Sequence, residues 1–191
     1  MSPHDYIDTV ARDLIRTSRG SHTQTEFSAL VGYKSNQVQK WESGSTYPSW
    51  AAFVECARLG ELDLKMAMRK TINYHGTPGD APRLVTHLIS VHPTTRVAQT
   101  IGRARSTVEK WKSGEQQPRL DDVLRLIAWR NELLYFVKNL TGDVSEPMID
   151  TQNLNERLRR WLAQNEDAFP LLLYIELDEY LANPSPCLLY T

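Results

Sequence analysis

The sequence predicts an all-α protein in which one small helical module is used twice and a short helical tail follows. Three observations lead there. A stretch of 39 residues recurs at an offset of 70. Apolar residues fall at helical spacing between capping residues and glycines. The composition, 41% hydrophobic and 24% charged over 191 residues, is that of an ordinary globular chain. No apolar run approaches the ~18–20 residues that cross a bilayer. The segment from Met1 to Asp13 is polar and acidic and lacks the order of a signal peptide. Cys56 and Cys187 match no metal or redox spacing. A cytoplasmic protein with free thiols, no metal and no membrane segment is expected.

Residues 21–59 align with 91–129 without a gap. His22, Thr25, Gly32, Val38, Lys40, Trp41, Ser43, Gly44 and Pro48 recur as His92, Thr95, Gly102, Val108, Lys110, Trp111, Ser113, Gly114 and Pro118. The identities concentrate on Gly, Trp and Pro, residues with backbone or packing roles that are hard to replace, so the pattern marks a repeated unit. Within the unit, Ile7, Val10 and Leu14 give a first helix its apolar stripe. Thr23 with Glu26 three residues later reads as a capping box. The helix it opens buries Phe27, Leu30 and Val31 and ends at Gly32. Ser35 begins the next helix, which buries Val38 and Trp41 and stops at Gly44. A turn of three or four residues between these two helices is a helix-turn-helix connection. Pro48 and Ser49 start a fourth helix carrying Phe53, Val54 and Ala57, and Leu62, Leu64 and Met66 suggest a fifth. The fold class is therefore two tandem five-helix-type helix-turn-helix modules with a helical C-terminal region. The expected divisions are 1–72, a linker at 73–82, 83–140, and an acidic helical region at 141–191.

The run Thr23-Gln24-Thr25-Glu26-Phe27, then Val31-Gly32, then Val38, Trp41, Glu42, Gly44 and Pro48, resembles the phage-repressor (Cro/XRE-type) helix-turn-helix DNA-binding family. The second copy departs from the pattern: Thr94 stands for the expected Gln and Lys112 for the expected Glu. Lys34 and Ala104 take the place of the usual Ser after the turn. The resemblance implies that the third helix of each copy lies in the major groove and meets base edges with its N-terminal residues. For the first copy it designates Lys34, Ser35, Asn36, Gln37, Gln39 and Lys40, with Gln24 and Thr25 at the preceding helix and Ser45 in the loop beyond. For the second it designates Arg103, Arg105, Ser106, Thr107, Lys110 and Lys112, with Thr94, Thr95 and Arg96. Asn and Gln pair bidentately with adenine, and Arg or Lys reaches guanine O6 and N7. Gln24 would brace a phosphate or a side chain of the recognition helix. The loops after those helices would offer backbone N–H groups to phosphate. His22 and His92 are assigned a loop role or a phosphate contact. Trp41 and Trp111, on the inner face, are core. The resemblance also implies an ion pair between a first-helix Arg, here Arg16, and Glu42; the second copy has Thr86 and Lys112 there, which would free Lys112 for phosphate.

Charge is segregated: the first 140 residues carry a net +5 and the last 51 a net −6, so the overall −1 does not count against nucleic acid. The second copy is apolar beyond the needs of a small module, through Leu133, Leu134, Phe136 and Val137. That surface is expected to pack on the tail or on another chain. The tail reads as two amphipathic helices, around Leu154–Leu162 and Leu171–Leu181, suited to a homodimer or a protein partner. Glu176, Asp178 and Glu179 have no matching carboxylates elsewhere, and no Ser/His/Asp, Cys/His or Gly-rich phosphate motif is present, so no enzyme and no cofactor are expected. The function expected is a sequence-specific double-stranded DNA-binding transcriptional regulator, a repressor of bacterial or phage promoters. The alternative is an antitoxin-like or adaptor chain in which one module binds DNA and the rest binds a protein.

Overall fold

The computed structural model describes residues 3–142 apart from Val91, and the regular elements among these residues are all α-helices. In the first copy α1 spans Pro3–Arg19, α2 Gln24–Leu30, α3 Gln37–Glu42, α4 Trp50–Leu59 and α5 Leu64–Ile72. In the second, α6 spans Ala81–Ile89, α7 Thr94–Thr100, α8 Arg105–Ser113, α9 Leu120–Trp129 and α10 Leu133–Thr141. The helix starts α2/α7 and α4/α9 differ by the sequence offset itself. Among the described residues no helix is long and apolar enough to cross a membrane. The tail helices expected beyond residue 142 lie outside the described residues.

Local chemistry accounts for the helix starts. The Thr23 hydroxyl accepts from the Glu26 N–H at 3.2 Å while the Glu26 carboxylate accepts from the Thr23 N–H at 2.9 Å, a complete capping box. Those two bonds to Thr23 hold the Glu26 carboxyl below its ordinary range. Asn36 caps α3 in place of the expected Ser35, its Oδ1 accepting from the Gln39 N–H at 3.2 Å. Ser49, Asp63 and Asp80 cap α4, α5 and α6. Pro93 and Ala104 stand before α7 and α8 and provide no side-chain cap. The turn glycines Gly32 and Gly102 have φ of +93° and +67°, where a side chain would be strained.

The interior runs through both copies without a break. Phe27, Val38, Trp41, Trp50 and Phe53 are buried in the first copy, and Val97, Val108, Trp111, Leu120 and Val123 at corresponding or adjoining places in the second. Residues 1–144 form one compact unit, so the two copies are not separate bodies on a string. Three seams join them. Helix α5 packs on α10, with Leu64, Ala67, Met68 and Ile72 buried on one and Leu133, Phe136 and Leu140 on the other. The apolar surplus of the second copy, expected to face the tail or another chain, is thus used largely against α5; of that set Leu134 stays well exposed, beside the exposed Tyr135. Helices α1 and α4 both touch α9. The strand-like segments before α4 and α9 meet in an isolated antiparallel bridge between Ser49 and Arg119. The Trp50 N–H donates to the Pro118 carbonyl at 2.8 Å and the Leu120 N–H to the Pro48 carbonyl at 2.9 Å. A fully buried large apolar side chain contributes roughly 1.5–3 kcal/mol and a net hydrogen bond only ~0.5–1.5 kcal/mol. The α5–α10 seam therefore supplies most of the cohesion, and the bridge fixes the register.

Candidate nucleic-acid interface

The short helices α3 and α8 each bury one face and leave the opposite face in solvent. Val38 and Trp41 are buried under α3, and Val108 and Trp111 under α8. Three residues separate each Val from its Trp, one helical turn, so both aromatics are core as expected. Tyr33 meets the Trp41 ring edge-on at 5.3 Å. On the outer face of α3, Gln39 and Lys40 are exposed and Gln37 is half-buried, its amide donating to Ser35 Oγ at 3.1 Å. Asn36 is half-buried, and its side-chain carbonyl oxygen accepts from the Gln39 N–H of the cap and, at 3.3 Å, from the Ser28 hydroxyl. Lys34, Ser35 and Thr25 are exposed. On α8, Arg105, Ser106 and Lys110 are exposed and Thr107 is half-buried. Thr95 and Arg96 are exposed at the start of α7.

Behind α3 sits a buried carboxylate. Glu42 receives Arg19 Nε at 2.6 Å on one oxygen and Gln24 Nε2 at 2.6 Å on the other. Gln24 therefore braces a side chain of α3, one of the two roles expected for it. The ion pair to Glu42 comes from Arg19; Arg16, the residue expected, donates to the Glu42 backbone carbonyl at 3.1 Å and pairs with Asp13. Ser28 adds a second brace, its hydroxyl accepting from the Val38 N–H at 3.1 Å.

The second copy is braced from the other end. Arg103, just ahead of α8, places Nε 2.6 Å from Asp122 Oδ1 and Nη2 3.2 Å from Asp121 Oδ2. Both carboxylates are buried at the start of α9, and Arg119 also reaches Asp121 at 2.9 Å. Arg103 is thus engaged in an internal network rather than presented as a surface cation. Burial and the neighbouring Asp122 charge push the Asp121 carboxyl up, against the lowering by Arg119, Arg103 and Arg125. Lys112, expected to be free, lies 3.1 Å from Glu109, and hydrogen bonds from Lys112 and Thr94 hold the Glu109 carboxyl below its ordinary range. Thr94 so takes up, with a different acceptor, the position Gln24 has in the first copy.

The loops after α3 and α8 do not present the N–H groups expected of them. Those of Ser45 and Thr46 donate to the Lys40 carbonyl and that of Gln116 to the Lys110 carbonyl. What faces solvent is hydroxyl chemistry: Ser43 and Ser45, 2.8 Å apart, and Ser113. The exposed His22 and His92 pack against Phe27 and Trp129, a loop role for both. The acidic pair Asp121–Asp122, which sequence reasoning passed over, was visible only as two carboxylates at a helix start, a place they occupy for the helix dipole in many proteins. No family model matches this chain, and no curated protein or solved structure matches it either.

Proposed function

We propose that this chain is a sequence-specific double-stranded DNA-binding protein that acts as a transcriptional regulator and contains two helix-turn-helix readers. The observation that carries the reading is the pair of short helices, each locked from behind and polar in front. Gln39 and Lys40 on α3, and Arg105, Ser106 and Lys110 on α8, are exposed on elements whose other faces are buried around Trp41 and Trp111. Side chains that read base edges need such rigid backing, because a bidentate contact tolerates little misplacement. The excess of +5 over the first 140 residues supports the same reading, since phosphate neutralisation and counterion release supply most non-specific affinity.

Selection from a random duplex pool, followed by titration of the full chain on the enriched sequences at several salt concentrations, tests it. Enrichment of a defined site with affinity falling steeply as salt rises is the expected outcome. A pool that fails to enrich, or an affinity equal in low and moderate salt, overturns the reading.

A further inference from the structure

The junction between the two copies joins like to like. Ser49 faces its own counterpart at the repeat offset of 70, Arg119, and on either side of this pair Pro48 meets Leu120 and Trp50 meets Pro118, so the segment pairs antiparallel with its own repeat. The two hydrogen bonds are reciprocal: Trp50 donates to Pro118, and Leu120 donates to Pro48. Exchanging the copies maps this pair of bonds onto itself. The same holds for the helix seams, since α4 packs on its counterpart α9 and α5 on its counterpart α10. Tandem units related by translation would join unlike surfaces; contacts between identical patches are the mark of a two-fold axis. A two-fold that relates α4 to α9 and α5 to α10 also relates α3 to α8.

Away from this seam the symmetry is incomplete, since α1 packs on α9 whereas the counterpart pair, α6 and α4, makes no comparable contact, and the side chains break it further. Across the junction, Arg125 approaches Asp8 at 3.6 Å and Arg119 lies over the Tyr47 ring at 5.6 Å. The counterparts of Asp8, Arg125, Tyr47 and Arg119 are Pro78, Glu55, Gln117 and Ser49, which form neither contact. The outward faces differ as well. Ser35, Gln37 and Gln39 correspond to Arg105, Thr107 and Glu109, while Lys40 and Lys110 are retained. One face favours adenine through its amides and the other guanine through Arg105.

We infer that a single chain reads two unlike half-sites in inverted orientation, at a spacing fixed by the junction. This rests on the DNA-binding reading above and specifies the kind of duplex that it takes. Duplex DNA has local two-fold axes perpendicular to its length, so readers related by a two-fold meet half-sites on opposite strands. The fused junction replaces the interface of a homodimer and allows the halves to differ.

The experiment uses the full chain and the duplex enriched from a random pool, with three rearrangements of it. One reverses a single half-site to make a direct repeat, one inserts about 5 bp, half a helical turn, between the halves, and one deletes a half. Each is expected to lower affinity more than ~10-fold, because displacing a half-site removes several base contacts at once and one mismatch already costs about that factor. Mass photometry on the minimal duplex is expected to give one chain per site. Equal affinity for the direct repeat, tolerance of the insertion, or two chains on the minimal duplex overturns the inference while leaving DNA binding intact. Failure to bind any duplex removes both.

Discussion

The two copies solve the same mechanical problem with different chemistry. Each must hold a short helix firmly by its buried face. In the first copy the brace lies at the C-terminal end of α3, where Glu42 is gripped by Arg19 of α1 and Gln24 of α2. In the second copy Ile89, Thr94 and Lys112 occupy those three places and no such grip is possible. The brace moves to the N-terminal side of α8, where Arg103 ties the turn to Asp121 and Asp122 of α9. The corresponding residues of the first copy are Tyr33, Ala51 and Ala52, and Tyr33 packs on Trp41 instead. The first brace is local to its copy. The second runs through Arg119 into the bridge with Ser49, so it couples α8 to the junction between the copies.

The aromatic cores are what the copies share, and removing them gives the largest effect. Trp41→Ala and Trp111→Ala should each lower unfolding free energy by ~3–5 kcal/mol, the usual cost of truncating a buried Trp. Chemical denaturation measures it. If either variant kept its stability and lost only DNA binding, the tryptophan would belong to the reading surface rather than the core.

The braces come next, and their costs should be unequal. Arg103→Ala takes a partner from two buried carboxylates at once, and because Arg119 still reaches both, ~2–4 kcal/mol is expected, at and below the low end of the ~3–5 kcal/mol for a buried pair broken outright. Arg19→Ala strands one carboxylate that keeps its Gln24 hydrogen bond, and ~1–3 kcal/mol is expected. Equal losses would mean that the network through Arg119 adds nothing beyond a pairwise contact.

Much of the architecture could be read in the chain because it is written in short-range signals. The Thr23–Glu26 capping box, the turn glycines and the Val–Trp spacing act within a few residues, and each stands where the sequence puts it. The braces could not be read. Arg103 sits 18 and 19 residues from its acceptors, and next to a helix start it has the look of a surface cation. Arg19, not Arg16, pairs with Glu42, a partner 23 residues away that only the tertiary packing of α1 on α3 brings near. The apolar surplus on α10 showed that something covers it, but the cover, α5, lies in the other copy and is set by tertiary geometry alone.

The second brace should also respond to pH. The Asp121 carboxyl titrates above its ordinary 3.8 in the folded state, burial being the main cause. The folded state therefore holds that proton more tightly than the unfolded chain does. This contribution to stability is fully present below the ordinary value and is lost as pH rises through the raised one. Asp121→Asn should flatten that part of a stability–pH profile. A profile unchanged by Asp121→Asn would show that the three surrounding arginines keep the carboxylate charged throughout.

The smallest effect concerns Lys112, the residue that stands where the first copy has its buried Glu42. Its ammonium pairs with Glu109 one turn back along α8, and the pair is partly open to solvent. Such a solvent-screened pair contributes little, so Lys112→Ala should leave the unfolding midpoint almost where it was. Its effect should emerge on DNA. With phosphate nearby, the lysine has a stronger anion than Glu109 to meet, and neutralising one phosphate contributes about 0.9 to the slope of log affinity against log salt. Lys112→Ala should therefore weaken binding uniformly across sequences and reduce the salt slope by about 1, leaving base preference unchanged. An unchanged slope would make Lys112 a helix-surface partner of Glu109 and nothing more. A change in base preference would instead move it onto the reading face, next to Lys110.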